Sequence, residues 1–219
     1  MTEPSPVRTT LPPALTRTEV VAVLRAPEAS AYEPVVRTLV ESGVFCIELT
    51  LTTPGTIEIL PTLRRSLSPE AEIGVGTILT DTAARAAIDA GARFLVTPNT
   101  NSGVIAAARG IPVLAGAFTP SEAHANMAGG AAAVKLFPAT VLGPSIVAHL
   151  HGPFPTMPLM PSGGVTLDDV PAWIEAGAVA VSLGGPLVGD AFAGGDLSAL
   201  AARARRALDA VSAARRTAA

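Results

Sequence analysis

Short apolar runs alternate with amphipathic segments along most of the chain. Each run is followed within a few residues by a segment whose apolar positions repeat with the period of a helix. The runs that predict strands are 20–25, 44–51, 72–77, 94–97, 112–114, 132–137, 158–160 and 178–183. The segments that predict helices are 31–41, a stretch from about Pro54, 82–90, 101–109, 121–128, 144–150, 167–176 and 197–214. Asp81 is expected to cap the third of these helices.

The predicted strands are apolar along their whole length rather than at alternate positions. Strands of this kind are typical of parallel sheets that are covered on both faces. Eight strand–helix units predict an α/β protein of one domain, folded as a (β/α)8 TIM barrel. A doubly wound open sheet is the weaker alternative, because the sequence has no dinucleotide-binding glycine fingerprint. The barrel is expected to span 19–215, and 1–18 to form an N-terminal tail or a short helix.

Composition narrows the classes of function. The 219-residue chain has a net charge of −3 and scattered arginines, so nucleic acid is not expected as a partner. No apolar stretch reaches membrane-spanning length, and the N-terminus lacks the apolar centre of a signal peptide. Cys46 is the only cysteine and lies in an apolar run, which predicts a buried thiol and excludes a disulfide within the chain. We therefore expect a soluble, cytoplasmic protein with no membrane partner.

Lys135 is the only lysine in the sequence, and it lies within the apolar sixth strand. An arginine would usually serve an ion pair at this position equally well. Removal from water favours the neutral, nucleophilic form of a lysine amine, and among side chains only lysine can form a Schiff base. The sequence therefore predicts a reactive amine, with a structural ion pair to a carboxylate as the alternative.

Glu48 is an acid inside the apolar second strand, on the same side of that strand as Cys46, Thr50 and Thr52. A carboxyl group in such a setting, beside an amine, favours acid–base catalysis. The alternative is a buried Glu–Lys pair that only stabilises the fold.

Two further polar residues stand at predicted strand ends, where the active sites of barrels lie. Arg25 ends the first strand, and its guanidinium is suited to bidentate recognition of a substrate carboxylate. The alternative for Arg25 is an exposed position on the rim. Thr77 ends the third strand and offers a hydroxyl donor, although a threonine at a strand end is often only structural.

Two glycine pairs follow the last two predicted strands. Gly163 and Gly164 follow the seventh strand, and Gly184 and Gly185 follow the eighth. Barrels often bind phosphate at this place through backbone N–H groups, and ordinary tight turns are the alternative. The three histidines do not stand at strand ends beside a second ligand, so no metal and no cofactor is expected.

These residues belong to motifs that resemble the 2-keto-3-deoxy-6-phosphogluconate (KDPG) aldolase family, which includes 4-hydroxy-2-oxoglutarate and 6-phosphogalactonate relatives. The similarity extends from Val20 to about Val188, in the family's order and spacing. Its motifs are Ile47-Glu-Leu-Thr-Leu51, Gly74-Val-Gly-Thr77, Val96-Thr-Pro-Asn99, Val134-Lys-Leu-Phe-Pro-Ala139 and Ser162-Gly-Gly-Val165.

The resemblance implies roles for individual residues. Lys135 is then the Schiff-base lysine and Glu48 the general acid and base. Arg25 and Thr77 contact the carboxylate of a small keto acid, and the pocket is lined by Pro98 and Phe137. The resemblance also implies a metal-free homotrimer that acts in carbohydrate metabolism of the Entner–Doudoroff type.

Three positions depart from the family's pattern. Thr52 stands where many members have an arginine, and we infer that Arg25 has taken over carboxylate binding, with Thr52 kept as a candidate substrate contact. Thr140 replaces a frequent glutamate. Pro186 replaces a frequent serine, which removes a hydroxyl and a backbone N–H from the expected phosphate site.

The expected function is a class I retro-aldol cleavage, carried out by a lyase. The substrate would be a 2-keto-3-deoxy-6-phospho sugar acid, 4-hydroxy-2-oxoglutarate or both, and the products pyruvate and an aldehyde. Two alternatives stay open on the sequence alone. One is a phosphosugar-binding barrel, a synthase or isomerase without covalent catalysis, and the other is a non-catalytic barrel subunit.

Overall fold

The computed structural model describes residues 9–218, with side chains to residue 217. Eight strands alternate with helices along the chain. The strands are β1 Val20–Leu24, β2 Cys46–Thr50, β3 Glu72–Gly76, β4 Leu95–Val96, β5 Val113–Ala117, β6 Ala133–Leu136, β7 Leu159–Pro161 and β8 Val181–Leu183. The helices are α1 Pro13–Thr18, α2 Tyr32–Glu41, α3 Thr56–Ser66, α4 Asp81–Asp89, α5 Ser102–Ala107, α6 Pro120–Ala128, α7 Ala139–Leu142, α8 Ser145–His151, α9 Val170–Glu175, α10 Gly185–Val188 and α11 Leu197–Ala218. Within this described part of the chain, no helix combines the length and the apolar character needed to cross a membrane.

All strands are parallel, and each pairs with its neighbours in chain order from β1 to β7. β8 pairs with β1, and a single bridge between Ser162 and Ser182 links the end of β7 to β8. The sheet therefore closes on itself as a (β/α)8 barrel, which confirms the predicted fold. The open doubly wound sheet is wrong, because the strand order shows no reversal.

The N-terminal segment predicted as a tail or short helix is described only in part. Residues 1–8 of that segment lie outside the described residues, and α1 occupies its last six positions. The predicted domain limits at residues 19 and 215 stay a prediction.

Several element ends differ from the sequence-based expectation. α4 is capped by Thr80, whose hydroxyl accepts a hydrogen bond from the backbone N–H of Ala83, so the prediction of Asp81 as the cap was wrong. β5 continues to Ala117, because Gly116 and Ala117 pair with β6 although they lack β-branched side chains. The short helices α7 and α10 have no apolar period long enough to be detected.

The buried side chains form two clusters, one on each face of the sheet. The outer cluster packs the strands against the surrounding helices. The inner cluster fills the amino-terminal half of the barrel and consists mainly of Ala14, Leu15, Val21, Cys46, Phe94, Val96, Leu114, Ala133, Met160 and Ala180. α1 closes this end of the barrel, since Leu15 is fully buried and the Ala14 N–H donates to Glu72 Oε2 at 2.7 Å. The inside of the barrel is therefore filled at its amino-terminal end.

The closing role of α1 predicts the effect of Leu15→Ala. The substitution should lower the free energy of unfolding by about 2–5 kcal/mol, because it leaves a cavity in the inner cluster. Urea unfolding followed by circular dichroism measures this change. Leu11→Ala, at a half-buried position in the same segment, is the matched control and should have a smaller effect. Equal stability of the Leu15→Ala variant and the unmodified protein would contradict the packing described here.

Candidate active site

A cavity of about 690 Å³ opens at the carboxyl-terminal ends of the strands. Most of the residues singled out in the sequence line it: Arg25, Glu48, Thr77, Pro98, Lys135, Phe137, Gly163, Gly164, Gly184 and Gly185. Thr50 and Ser162 also contribute to the wall, together with an apolar group made of Val23, Ala26, Pro27, Pro186, Val188, Phe192 and Ala193. The barrel therefore brings side chains from almost every strand end to one place.

Thr52 is the one candidate contact that does not line the cavity. β2 ends at Thr50, so the alternation of side chains that placed Thr52 on the same side as Glu48 stops there. Thr52 is exposed, and its hydroxyl lies 3.0 Å from the hydroxyl of Thr50. Thr52 therefore contacts a residue of the cavity wall rather than the cavity itself.

Lys135 and Glu48 face each other across the floor of the cavity. The Lys135 Nζ lies 3.4 Å from both carboxylate oxygens of Glu48. The Lys135 side chain is 8% exposed and that of Glu48 is 1% exposed, and both residues line the cavity. An amine and a carboxylate at this separation can exchange a proton, and the amine remains open to a reacting carbon.

Gly76 provides the space for the Glu48 carboxylate. A Cβ atom at position 76 would lie 1.9 Å from Glu48 Oε1, a distance at which the Glu48 side chain would have to move. Gly76 is also the β-ladder partner of Thr50. A glycine at this position is therefore a steric requirement for the orientation of Glu48.

Cys46 lies one step below Glu48 on the same face of β2 and is fully buried. Burial raises the pKa of the Cys46 thiol well above its usual value, and the negative charges of Glu72 and Glu48 raise it further. Only a thiolate is a strong nucleophile, so Cys46 is a packing residue of the inner cluster. On the cavity floor this leaves the amine of Lys135 as the candidate nucleophile.

Arg25 and Thr77 lie at the edge of the cavity. Arg25 is exposed, and among the described residues no carboxylate lies within ion-pair distance of its guanidinium. Thr77 has a φ of +59°, which is unusual for a β-branched residue. Backbone strain of this kind is concentrated at functional sites, where surrounding structure holds it in place. The cavity edge thus offers a cation and a hydroxyl to an anionic group.

Phe137 and the first glycine pair form one wall. The Lys135 Nζ lies 5.9 Å from the centre of the Phe137 ring. A Cβ at Gly163 would lie 2.8 Å from that ring, and one at Gly164 would lie 2.0 Å from the Thr140 side chain. Both glycines have positive φ values, 86° and 81°. The backbone after β7 therefore approaches the Phe137 ring and the Thr140 side chain more closely than a residue with a Cβ atom would permit.

Apart from Pro98, Phe137 and Pro186, sequence reasoning missed the apolar part of the cavity wall. Phe192 lies in a short 3-10 helix, Ala191–Ala193, that has no periodic pattern. Val188 ends α10, which is too short to be detected. Ser162 belongs to the motif Ser162-Gly-Gly-Val165 but was not among the predicted site residues, and its hydroxyl lies 3.2 Å from that of Ser182. The sequence feature that could have identified Ser162 is its place as a polar residue at the end of the seventh strand.

The described residues contain no cluster of three or more His, Cys, Asp or Glu side chains that would form a metal site. His151 instead contacts the carbonyl oxygen of Met157 at 2.9 Å through its Nε2.

A (β/α)8 barrel with a buried lysine beside a carboxylate, at the floor of an open cavity, has the features of an enzyme that works through an amine nucleophile. A family model described as KDPG and KHG aldolase matches residues 12–202. The chain therefore belongs to the KDPG and KHG aldolase family.

Individual relatives agree with this assignment. The chain is 34% identical over 194 residues to a probable 2-dehydro-3-deoxy-6-phosphogalactonate aldolase of Rhizobium meliloti, covering 87% of this chain and 92% of the relative. A solved structure described as native KDPGal has a TM-score of 0.84 at 29% identity, covering 90% of this chain and 96% of that one.

A solved KDPG aldolase of Legionella pneumophila contains pyruvate captured as a covalent carbinolamine intermediate. It has a TM-score of 0.79 at 25% identity and covers 88% of this chain and 95% of its own. A carbinolamine is the precursor of a Schiff base, which is class I chemistry. The protein is a class I aldolase, a carbon–carbon lyase, and the class of enzyme expected from the sequence is confirmed.

The contact between Gly76 and Glu48 predicts the effect of Gly76→Ala. The added methyl group should displace the carboxylate and lower kcat for aldol cleavage by about 100-fold or more, the usual size of acid–base catalysis. Steady-state kinetics on the folded variant measures this loss.

Gly103→Ala is the matched control, because the same methyl group would lie no closer than 3.4 Å to its surroundings in α5. It should leave kcat unchanged. A Gly76→Ala variant with unchanged kcat would show that the orientation of Glu48 does not depend on this glycine.

Proposed function

We propose that the protein cleaves a 2-keto-3-deoxy-6-phospho sugar acid, 4-hydroxy-2-oxoglutarate, or both, to pyruvate and an aldehyde. The observation that carries this proposal is the buried pair of Lys135 and Glu48, 3.4 Å apart, with the amine open to the cavity. The relatives support it, since one is named for 2-dehydro-3-deoxy-6-phosphogalactonate and another was captured with pyruvate.

In the first step the neutral amine of Lys135 attacks the C2 ketone of the substrate. A bond forms between Nζ and C2, and the ketone oxygen becomes the hydroxyl of a carbinolamine. Loss of that hydroxyl as water leaves an iminium, which draws electrons from the adjacent carbon. Glu48 lies close enough to accept the two protons that the lysine nitrogen gives up, one before the attack and one after it, and to pass both to the ketone oxygen, which carries them away as water.

In the second step Glu48, directly or through a water molecule, removes the proton of the C4 hydroxyl. The C3–C4 bond then breaks, its electron pair moves toward the iminium to form an enamine, and the aldehyde leaves. Protonation of the enamine at C3 and addition of water at C2 release pyruvate and restore the amine of Lys135. Every proton transfer in this sequence can pass through the one carboxylate on the cavity floor.

Binding of the keto acid is assigned to the cavity edge. Arg25 and Thr77 hold the substrate carboxylate, since the guanidinium has no competing carboxylate among the described residues. Pro98 and Phe137 form the apolar sides around the reacting carbons. These contacts orient C2 toward the amine, and orientation of this kind supplies a large part of the rate gain of enzymes.

In this proposal the end of the substrate that lies away from the keto acid is placed beside the two glycine pairs. Gly163, Gly164, Gly184 and Gly185 all line the cavity and can approach an anionic group with their backbones. Pro186 also lines it but has no backbone N–H to donate. The glycine pairs therefore supply the remaining backbone contacts for a phosphate or a second carboxylate.

The proposal includes a homotrimer in the cytoplasm. Large apolar side chains are exposed at Leu79, Phe118 and Val141, which follow β3, β5 and β6 at the same end of the barrel. Exposed apolar groups of this size favour association with another chain. The single, buried cysteine is compatible with a reducing compartment.

The covalent role of Lys135 predicts the effect of Lys135→Arg. Turnover of 2-keto-3-deoxy-6-phosphogluconate should fall below detection, because a guanidinium keeps its charge and cannot form an iminium. Pyruvate release measures turnover, and circular dichroism checks the fold.

Arg85→Lys in the Lys135→Arg background is the matched control, because it restores one lysine on the exposed face of α4. This double variant should also be inactive. Substantial activity in either variant would refute the covalent mechanism.

The acid–base role of Glu48 predicts the effect of Glu48→Gln. The variant should still form an adduct with pyruvate, but cleavage should slow by about 100- to 10,000-fold because the base is lost. Single-turnover kinetics separates the two steps. Glu72→Gln, which alters the carboxylate at the opposite end of the barrel, should keep normal cleavage rates. Normal cleavage by Glu48→Gln would remove Glu48 from this role.

A further inference from the structure

Buried threonines lie behind Arg25, between the ends of β1 and β2. The residues on both sides of Arg25 have backbone groups bound by threonine hydroxyls. The Thr50 hydroxyl donates to the carbonyl oxygen of Leu24 at 3.2 Å. The Thr53 hydroxyl accepts from the Ala26 N–H and donates to the Ala26 carbonyl oxygen, both at 3.0 Å. The backbone that carries Arg25 is therefore held on both sides.

The threonines are themselves held in place by buried hydrogen bonds. The Thr56 hydroxyl lies 2.8 Å from the carbonyl oxygen of Thr53 and 3.0 Å from that of Thr50. The Tyr32 hydroxyl is within 3.5 Å of the Thr56 hydroxyl. These four side chains belong to residues that are 2% exposed or less. Since water does not compete for these bonds, the network is a fixed support for the loop after β1.

Arg25 depends on this support because strand pairing ends just before it. The last paired positions of β1 and β2 are Leu24 and Leu49. Beyond Leu24 no pairing with β2 fixes the chain, and the exposed guanidinium of Arg25 stands at the end of a long, flexible side chain. A backbone held in advance lowers the conformational entropy that is lost when the guanidinium binds an anion.

We propose that Thr53 is a positioning residue that fixes the backbone of Arg25 for binding of the substrate carboxylate. This inference rests on the proposed function, in which Arg25 makes that contact. Thr53 does not itself touch the cavity, and it acts through the two hydrogen bonds to Ala26. The threonine-rich segment after Glu48 thus serves carboxylate binding through Arg25 rather than through Thr52.

The test compares Thr53→Val with Thr53→Ser. Valine has nearly the shape of threonine but lacks the hydroxyl, whereas serine keeps the hydroxyl and loses only a methyl group. Thr53→Val should raise KM for the keto-acid substrate about tenfold and change kcat less than twofold, because the loss affects binding of the carboxylate. Thr53→Ser should restore KM to the value of the unmodified protein.

Coupling to Arg25 separates positioning from a general loss of stability. Adding Thr53→Val to an Arg25→Met variant should raise KM no further, because the guanidinium that Thr53 positions is already absent. Thr97→Val is the matched control for loss of a buried hydroxyl. Thr97 also bonds two backbone groups, donating to the Asn99 carbonyl oxygen at 2.6 Å and accepting from the Gly116 N–H at 3.1 Å. Any effect of Thr97→Val should add to that of Arg25→Met.

Each contrary outcome has a distinct meaning. An unchanged KM in Thr53→Val, or an effect that adds to that of Arg25→Met, would overturn the positioning role while leaving the proposed function intact. A normal KM in Arg25→Met would instead refute the carboxylate contact assigned to Arg25. If Thr53→Val does not fold, Thr53→Ala takes its place in the same assays. Failure of both variants to fold would make Thr53 a structural residue and overturn the inference.

Discussion

The ion pair between Lys135 and Glu48 is the interaction around which the inside of this barrel is arranged. Removing one charge from water costs several kcal/mol, and two charges are tolerated only when they compensate each other. β6 and β2 bring the amine and the carboxylate within 3.4 Å of each other. Closure of the sheet is what allows strands that are distant in sequence to supply the two partners.

Neighbouring residues show how much of the structure serves this pair. Gly76 leaves space for the carboxylate, and Gly116 is paired with Lys135 on the adjacent strand. A Cβ at Gly116 would lie 2.2 Å from the backbone of Pro98, so the loop after β4 packs directly on this glycine. Below them the inner apolar cluster and α1 exclude water from the amino-terminal half. The ion pair is therefore shielded from water on its amino-terminal side and open to substrate on its carboxyl-terminal side.

Much of the fold could be predicted from the sequence, because each strand is a continuous apolar run and each long helix has a clear period. The predictions failed where tertiary contacts decide the local structure. Gly116 and Ala117 have weak strand propensity and are held in β5 by pairing with β6. Thr80 rather than Asp81 caps α4, and the sequence contains two adjacent residues that are both suited to the cap.

Lys135 and Glu48 could be identified as candidates because charged residues inside apolar strands break the core pattern. Thr52 was placed by extending the two-residue period of β2 beyond its end, where that period no longer applies. The role of Thr53 could not be recognised in the sequence, because its hydrogen bonds to Ala26 join residues 27 positions apart in the chain. Contacts of this kind depend on the positions of two loops and are visible only once the barrel is built.

The most direct test of the mechanism is to incubate the protein with pyruvate, reduce it with borohydride and locate any adduct by peptide mass spectrometry. Because the chain has a single lysine, a covalent amine mechanism predicts one adduct of one pyruvate, carried by the peptide that contains Lys135. A folded sample that yields no adduct would contradict a Schiff-base mechanism at this residue.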